Sequence, residues 1–308
     1  MHVLIKLIKA ASMLEGGFAM NTRMKGILAY ILIAFGMAWI LWEIPIRRGI
    51  QPGHPLFQFV LLPGAFAPAV ACIVVRKWIT KEGFTDAGLN ITVAKWKYYL
   101  FGWLLPLAVV AVIVVLAVLF RVSEPDFSLQ RAFSSLAPGV EIPLSSGVFL
   151  LIIVVQSLVM ALLFTPVLWG EEFGWRSYLQ IRLFSDSPVK AAVATGIIWG
   201  IWHYPINLRG YNFPEHPLLG LILFPVSTVL LSIIFGWLRQ KTQSIWSASL
   251  AHSATNAVGG TLTVYLFMGG PNLVFVTYLG ILGWIPLGIV CAWIILTGQL
   301  SPGSNGQS

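Results

Sequence analysis

Six side chains in the second half of the chain are costly where they stand. Glu171, Glu172 and Arg176 sit in the stretch GEEFGWR, directly after the almost unbroken apolar run 149–170. His203 lies in IIWGIWHYP, and His252 and Asn256 lie in SLAHSATN. Only 11 of the 308 residues are acidic, so two adjacent carboxylates at the end of such a run call for a reason. An ionised carboxylate deep in a bilayer costs roughly 2.5–3.5 kcal/mol on insertion scales, so such groups pair, line a wet cavity or do chemistry. The types present suit hydrolysis of an amide, which needs an activated water, a stabilised oxyanion and a proton for the leaving amine. A carboxylate withdrawn from water becomes a useful general base. Asn256 offers an N–H donor and His252 offers one in either protonation state, and donors aimed at a developing oxyanion can each be worth about 2.7–4 kcal/mol. Glu171 or His203 can return the proton to the amine. No Ser or Cys nucleophile is needed, and neither Cys72 nor Cys291 is near these stretches.

Metal is a second option for the same residues. Glu171, Glu172, His203 and His252 are donor types that suit zinc. There is no HExxH, however, and the two histidines lie in separate segments, so no local spacing enforces a site. Each group also has a plain structural reading. Glu172 and Arg176 are four apart and can brace a helix end as an ion pair. His203 can be an interfacial histidine beside Trp199, Trp202 and Tyr204, and Asn256 can bond between helices. His252, inside an apolar span, is harder to dismiss. The least economical reading makes all of these groups on three different helices unrelated.

The elements that must carry them are membrane helices. The chain is 57% hydrophobic and only 10% charged, with a mean hydropathy of +0.84, where soluble domains carry about 25% charged residues. This predicts an all-α polytopic transmembrane helical bundle. Eight apolar segments are each long enough to cross or nearly cross a bilayer: 26–45, 56–75, 98–120, 148–183, 189–205, 217–238, 244–266 and 275–297. The fourth is too long for one simple span, and either kinks at Pro166 or continues past the bilayer as an amphipathic helix. Segments two and eight carry essentially no strongly polar residue. Residues 26–297 form a single transmembrane domain. Residues 1–25 read either as an amphipathic surface helix or as an over-extended start with the true one at Met20 or Met24, and residues 298–308 as a disordered tail.

The net charge of +8 is not a nucleic-acid footprint, because the basic residues sit in short loops and the N-terminal segment. With the N-terminus inside, the inner connections carry 14 Lys and Arg and the outer ones 5. The positive-inside rule then places both termini in the cytoplasm. Depth can be read in the same way. Glu171 lies 16 residues before Ser187 in the turn SDSP, and His203 lies 16 after it. In an antiparallel hairpin both stand roughly 24 Å from the turn. His252, 11 residues past Lys241, stands roughly 16 Å from the next inner loop, a difference that tilt can close. One cluster of two carboxylates, two imidazoles, an amide and a guanidinium is therefore permitted.

The order EExxxR, aromatic-xxxH, HxxxN resembles the CPBP family of intramembrane proteases, which includes the type II CAAX prenyl endopeptidases and bacterial bacteriocin-immunity proteins. Here the three motifs are Glu171-Glu172-Phe-Gly-Trp-Arg176, Trp199-Gly-Ile-Trp-His203 and His252-Ser-Ala-Thr-Asn256, within a core of about 148–260. Trp199 stands where the eukaryotic-type pattern has Phe, a conservative aromatic change. The resemblance implies peptide-bond hydrolysis within or at the membrane. By carry-over, Glu171 activates water, His203 is the second catalytic position, and His252 and Asn256 position water and stabilise the oxyanion. Glu172 and Arg176 support them, and direct carboxylate catalysis without a cofactor is favoured over zinc. The implied partners are membrane lipid and a peptide or lipidated-protein substrate, CAAX-type or bacteriocin-like, in a prokaryotic cell membrane. Two other classes compete: a proton-coupled transporter using the Glu/His cluster, disfavoured by the lack of an internal repeat, and a non-catalytic scaffold or immunity protein with the same fold.

Overall fold

The computed structural model describes residues 21–139 and 144–301. Most of the expected N-terminal segment 1–25 and of the tail 298–308 lies outside them, although residues 22–25 already form the first turn of the first helix. Among the described residues the regular elements are all helical, as a bilayer requires of a chain that must satisfy its own backbone groups. Six stretches are long and apolar enough to cross a membrane: Thr22–Arg47, Phe57–Ile79, Val93–Leu119, Ser146–Arg182, Pro217–Thr242 and Leu273–Leu296. The chain is an integral membrane protein built as a polytopic helical bundle.

The principal helices are α1 (Thr22–Arg47), α2 (Phe57–Ala65), α3 (Ala67–Val74), α4 (Trp96–Leu119), α5 (Ser146–Gly174), α6 (Pro188–Trp202), α7 (Pro217–Thr242), α8 (Ile245–Ala254) and α9 (Ile281–Leu296). The two expected segments missing from the six are shorter or divided. Helix α6 has 15 residues and ends at His203, just ahead of Pro205. The segment expected at 244–266 is split into α8, a π-helical turn at Thr255–Gly260 and a last helical piece at Thr261–Phe267. Helix α5 runs on unbroken through Pro166 into a second π-helical turn, Trp175–Leu179, making 37 helical residues to Arg182. That is roughly 55 Å of helix against a hydrocarbon core of about 30 Å, so the stretch is longer than one simple span, as its length in the sequence implies.

Small residues set the distances between helices. On α6, a Cβ on Gly196 would come within 2.5 Å of the Val229 Cα, and one on Gly200 within 2.8 Å of the Pro225 Cα. This i,i+4 pair lets α7 press backbone to backbone on α6, with Thr228 Oγ1 bonded to the Gly196 carbonyl at 2.9 Å. On α5, Gly170 and Gly174 bracket the two glutamates. A Cβ there would meet the Phe66 ring at 2.8 Å and the Tyr30 hydroxyl at 2.5 Å respectively. The glycine face of α5 thus lets α1 and the start of α3 approach closely, while the two acids turn to other sides of the helix, Glu171 towards Trp199 and Glu172 towards His252. Helix α8 packs against both α5 and α4, completing the wall opposite.

Candidate active site

Glu171, His203, His252 and Asn256 line one cavity of about 650 Å³, enclosed by α2, α5, α6, α7 and the chain around α8. The height difference between His252 and the other two, left open by counting residues, is closed in the folded bundle. Glu171 is 6% exposed, His252 4%, and Glu172 and Arg176 are fully withdrawn. His203 is half-buried and Asn256 exposed to the space it lines.

Glu171 and Glu172 are neighbours in sequence with different surroundings. Glu171 lines the cavity, and its Oε2 accepts a hydrogen bond from Trp199 Nε1 at 2.9 Å. Glu172 points into protein. Its Oε1 lies 2.9 Å from His252 Nδ1 and its Oε2 lies 3.2 Å from Arg176 Nε. The i,i+4 pair expected from the sequence is therefore formed, with a histidine added from another helix. The Arg176 guanidinium also lies over the faces of Trp199 and Phe235, 4.9 and 5.6 Å from the ring centroids. Flat aromatic faces and one carboxylate are how this buried cation is accommodated.

The partners of the two imidazoles fix their tautomers. His203 Nδ1 lies 2.9 Å from the Trp199 carbonyl oxygen, one helical turn back. A carbonyl only accepts, so Nδ1 carries the hydrogen and the neutral ring presents a lone pair at Nε2. The ring is held among Trp202, Phe224 and Trp199, at centroid distances of 4.8, 4.8 and 5.9 Å. The same logic applies to His252, whose Nδ1–H is taken by the Glu172 carboxylate. This corrects the expectation that His252 can donate in either protonation state: its Nε2 donates only when the ring is an imidazolium. Asn256 lies in the π-helical turn Thr255–Gly260, and its amide forms no hydrogen bond among the described residues, which leaves it free to donate into the cavity.

The four residues of types that suit zinc, Glu171, Glu172, His203 and His252, are not grouped as a metal site. Among the described residues no three His, Cys, Asp or Glu side chains are grouped closely enough to hold a metal ion. His252 Nδ1 and Glu172 Oε1 are taken up by each other.

Several features escaped the sequence. Gln58 and Tyr211 also line the cavity, bonded to each other at 3.3 Å, although the segment holding Gln58 was expected to be free of strongly polar groups. A lone amide in an apolar run was the available signal. Tyr211 sits in the connection between α6 and α7 and had none. Arg76, read as an orienting loop charge, is fully buried. It bonds to Asp86 at 2.7 Å, to the Ser177 carbonyl at 2.8 Å and to the Gly83 carbonyl.

Residues 149–258 match the family model described as Type II CAAX prenyl endopeptidase Rce1-like. This segment holds all six motif residues. The chain is also similar to CAAX prenyl protease 2 of Methanococcus maripaludis, with 26% identity over 238 residues, covering 74% of this chain and 81% of that protein. The three motifs stand about one cavity, and the segment that carries them, residues 149–258, is where this chain is similar to the CAAX-type endopeptidases.

Proposed function

We propose that the chain hydrolyses a peptide bond near the membrane-anchored end of a CAAX-type substrate, using a water activated by Glu171. The observation that carries this reading is the presence of one carboxylate, two imidazoles of fixed tautomer and a free amide on a single cavity. Water bonded to Glu171 and to the Nε2 lone pair of His203 attacks the carbonyl carbon, and its proton passes to Glu171 or to His203 Nε2. The oxyanion that forms is met by the Asn256 amide N–H and, in the imidazolium form, by His252 Nε2–H. As the C–N bond breaks, Glu171 or His203 returns the proton to the leaving nitrogen. Glu172 and Arg176 hold His252 in place. We also propose that both termini are cytoplasmic, which the Lys and Arg distribution supports, and that the membrane is that of a prokaryotic cell.

The substrate class is supported by the family match and by the relative's name, together with a cavity bounded by lipid-facing helices. The purified protein in proteoliposomes should release a C-terminal fragment from a farnesylated CAAX peptide, detected by mass spectrometry. It should cleave the same peptide without the lipid more slowly, and His252→Ala should abolish release. Equal cleavage of both peptides would replace the lipidated substrate with a plain membrane peptide. Parallel arms with a chelator and with added zinc test metal dependence. Cleavage unchanged by His252→Ala would reject the site.

A further inference from the structure

Trp199 contacts every motif residue that is buried or half-buried at the cavity. Its Nε1 lies 2.9 Å from Glu171 Oε2, with the two residues 2% and 6% exposed. Its carbonyl accepts from His203 Nδ1 at 2.9 Å. Its ring carries the Arg176 guanidinium at 4.9 Å and packs T-shaped on His252 at 5.1 Å. A ring held from this many sides has little freedom to turn. An indole nitrogen can only donate, and Glu171 makes no other side-chain hydrogen bond among the described residues. The result is that Oε2 is committed and Oε1 is left for water.

We propose that the Trp199 indole N–H is a positioning donor for the Glu171 carboxylate, fixing which oxygen meets the attacking water. The exchange of Phe for Trp at this motif position is therefore not neutral in this chain. Phe would keep the ring and the carbonyl to His203, but would leave Glu171 free to rotate about its last torsion. This inference rests on the reading of Glu171 as the general base. It adds a residue whose role is geometric, since Trp199 exchanges no proton.

The test compares Trp199→Phe, replacement of Trp199 by β-(3-benzothienyl)alanine, which keeps the bicyclic shape without the N–H, and Glu171→Gln. All are full-length protein in proteoliposomes acting on the farnesylated CAAX peptide. Both changes at 199 should lower kcat about ten- to a hundredfold, the usual weight of a hydrogen bond to a charged group, with KM within about twofold. Full activity in both, with Glu171→Gln inactive, overturns the proposal and leaves the general base standing. Activity lost in Trp199→Phe but kept in the benzothienyl variant also overturns it, because shape would then be what matters. Activity kept in Glu171→Gln removes the general base and the proposal together. A substrate-free readout runs alongside. The ultraviolet resonance Raman band that reports indole hydrogen bonding, isolated as wild type minus Trp199→Phe, should shift in Glu171→Ala, and an unmoved band contradicts the bond.

Discussion

His252 Nδ1 and Glu172 Oε1 stand 2.9 Å apart across two helices, while the other Glu172 oxygen faces Arg176 Nε at 3.2 Å. One fully buried carboxylate thus orients a cavity histidine and balances a fully buried guanidinium. Removing it leaves the cation unpaired. Glu172→Leu is expected to destabilise the protein by about 3–5 kcal/mol, and adding Arg176→Met should recover most of that loss, because a well-packed apolar pair can replace a buried ion pair. Thermal unfolding of the two variants in detergent checks this. The double variant should remain inactive, since His252 has lost its partner.

Asn256 acts only through its amide in this account. Asn256→Ala should lower kcat by about 10²–10³ with little change in KM, the size seen when one oxyanion donor is removed. Because the side chain is exposed to the cavity, the melting temperature should hardly move. A loss of folding instead of rate would assign Asn256 to packing.

Asp86 lies in a loop outside the spans and gives a pH dependence. Burial pushes its carboxyl up, but the hydrogen bond from Arg76 and the charges of Arg76 and Arg182 outweigh this and hold it below the ordinary carboxylate range. A group whose pKa is depressed by folding adds stability above its unfolded value of about 3.9, and that stability is lost as pH falls through the lower folded value. Detergent unfolding followed from pH 5 downward should therefore show a steeper loss in wild type than in Asp86→Asn.

Two glycines on long helices should respond in opposite ways to alanine. A Cβ at Gly174 would crowd the Tyr30 hydroxyl at 2.5 Å and the Pro68 backbone at 2.6 Å, whereas one at Gly36 would meet nothing within 4 Å. Gly174→Ala should cost about 1–3 kcal/mol through overpacking. Gly36→Ala should be neutral or stabilising by about 0.5–1 kcal/mol. Unfolding midpoints measured side by side decide this.

Much of the fold was legible in the sequence, because apolar runs of bilayer length have few alternatives. Counting from the SDSP turn placed Glu171 and His203 at one height, and they line the same cavity. What counting could not supply depends on side-chain direction and local backbone. The bond from Trp199 Nε1 to Glu171 depends on which way an indole turns, which spacing does not encode. The donor state of His252 depends on Glu172, a partner 80 residues away. Arg76 looked like a loop cation because it follows an apolar run, yet the loop folds back and supplies Asp86 and the Gly83 carbonyl to bury it. Nor does spacing encode the π-helical turn at Thr255–Gly260 that interrupts residues 245–267.

The central claim is that the Glu171 carboxylate activates the hydrolytic water, and the most direct measurement is the single-turnover cleavage rate of Glu171→Gln on the farnesylated CAAX peptide. Gln keeps the shape and still accepts from Trp199, but it cannot take a proton. The account predicts a loss of at least about a thousandfold, with unfolding behaviour and peptide binding close to wild type. Cleavage within about tenfold of wild type by a folded Glu171→Gln protein would contradict it.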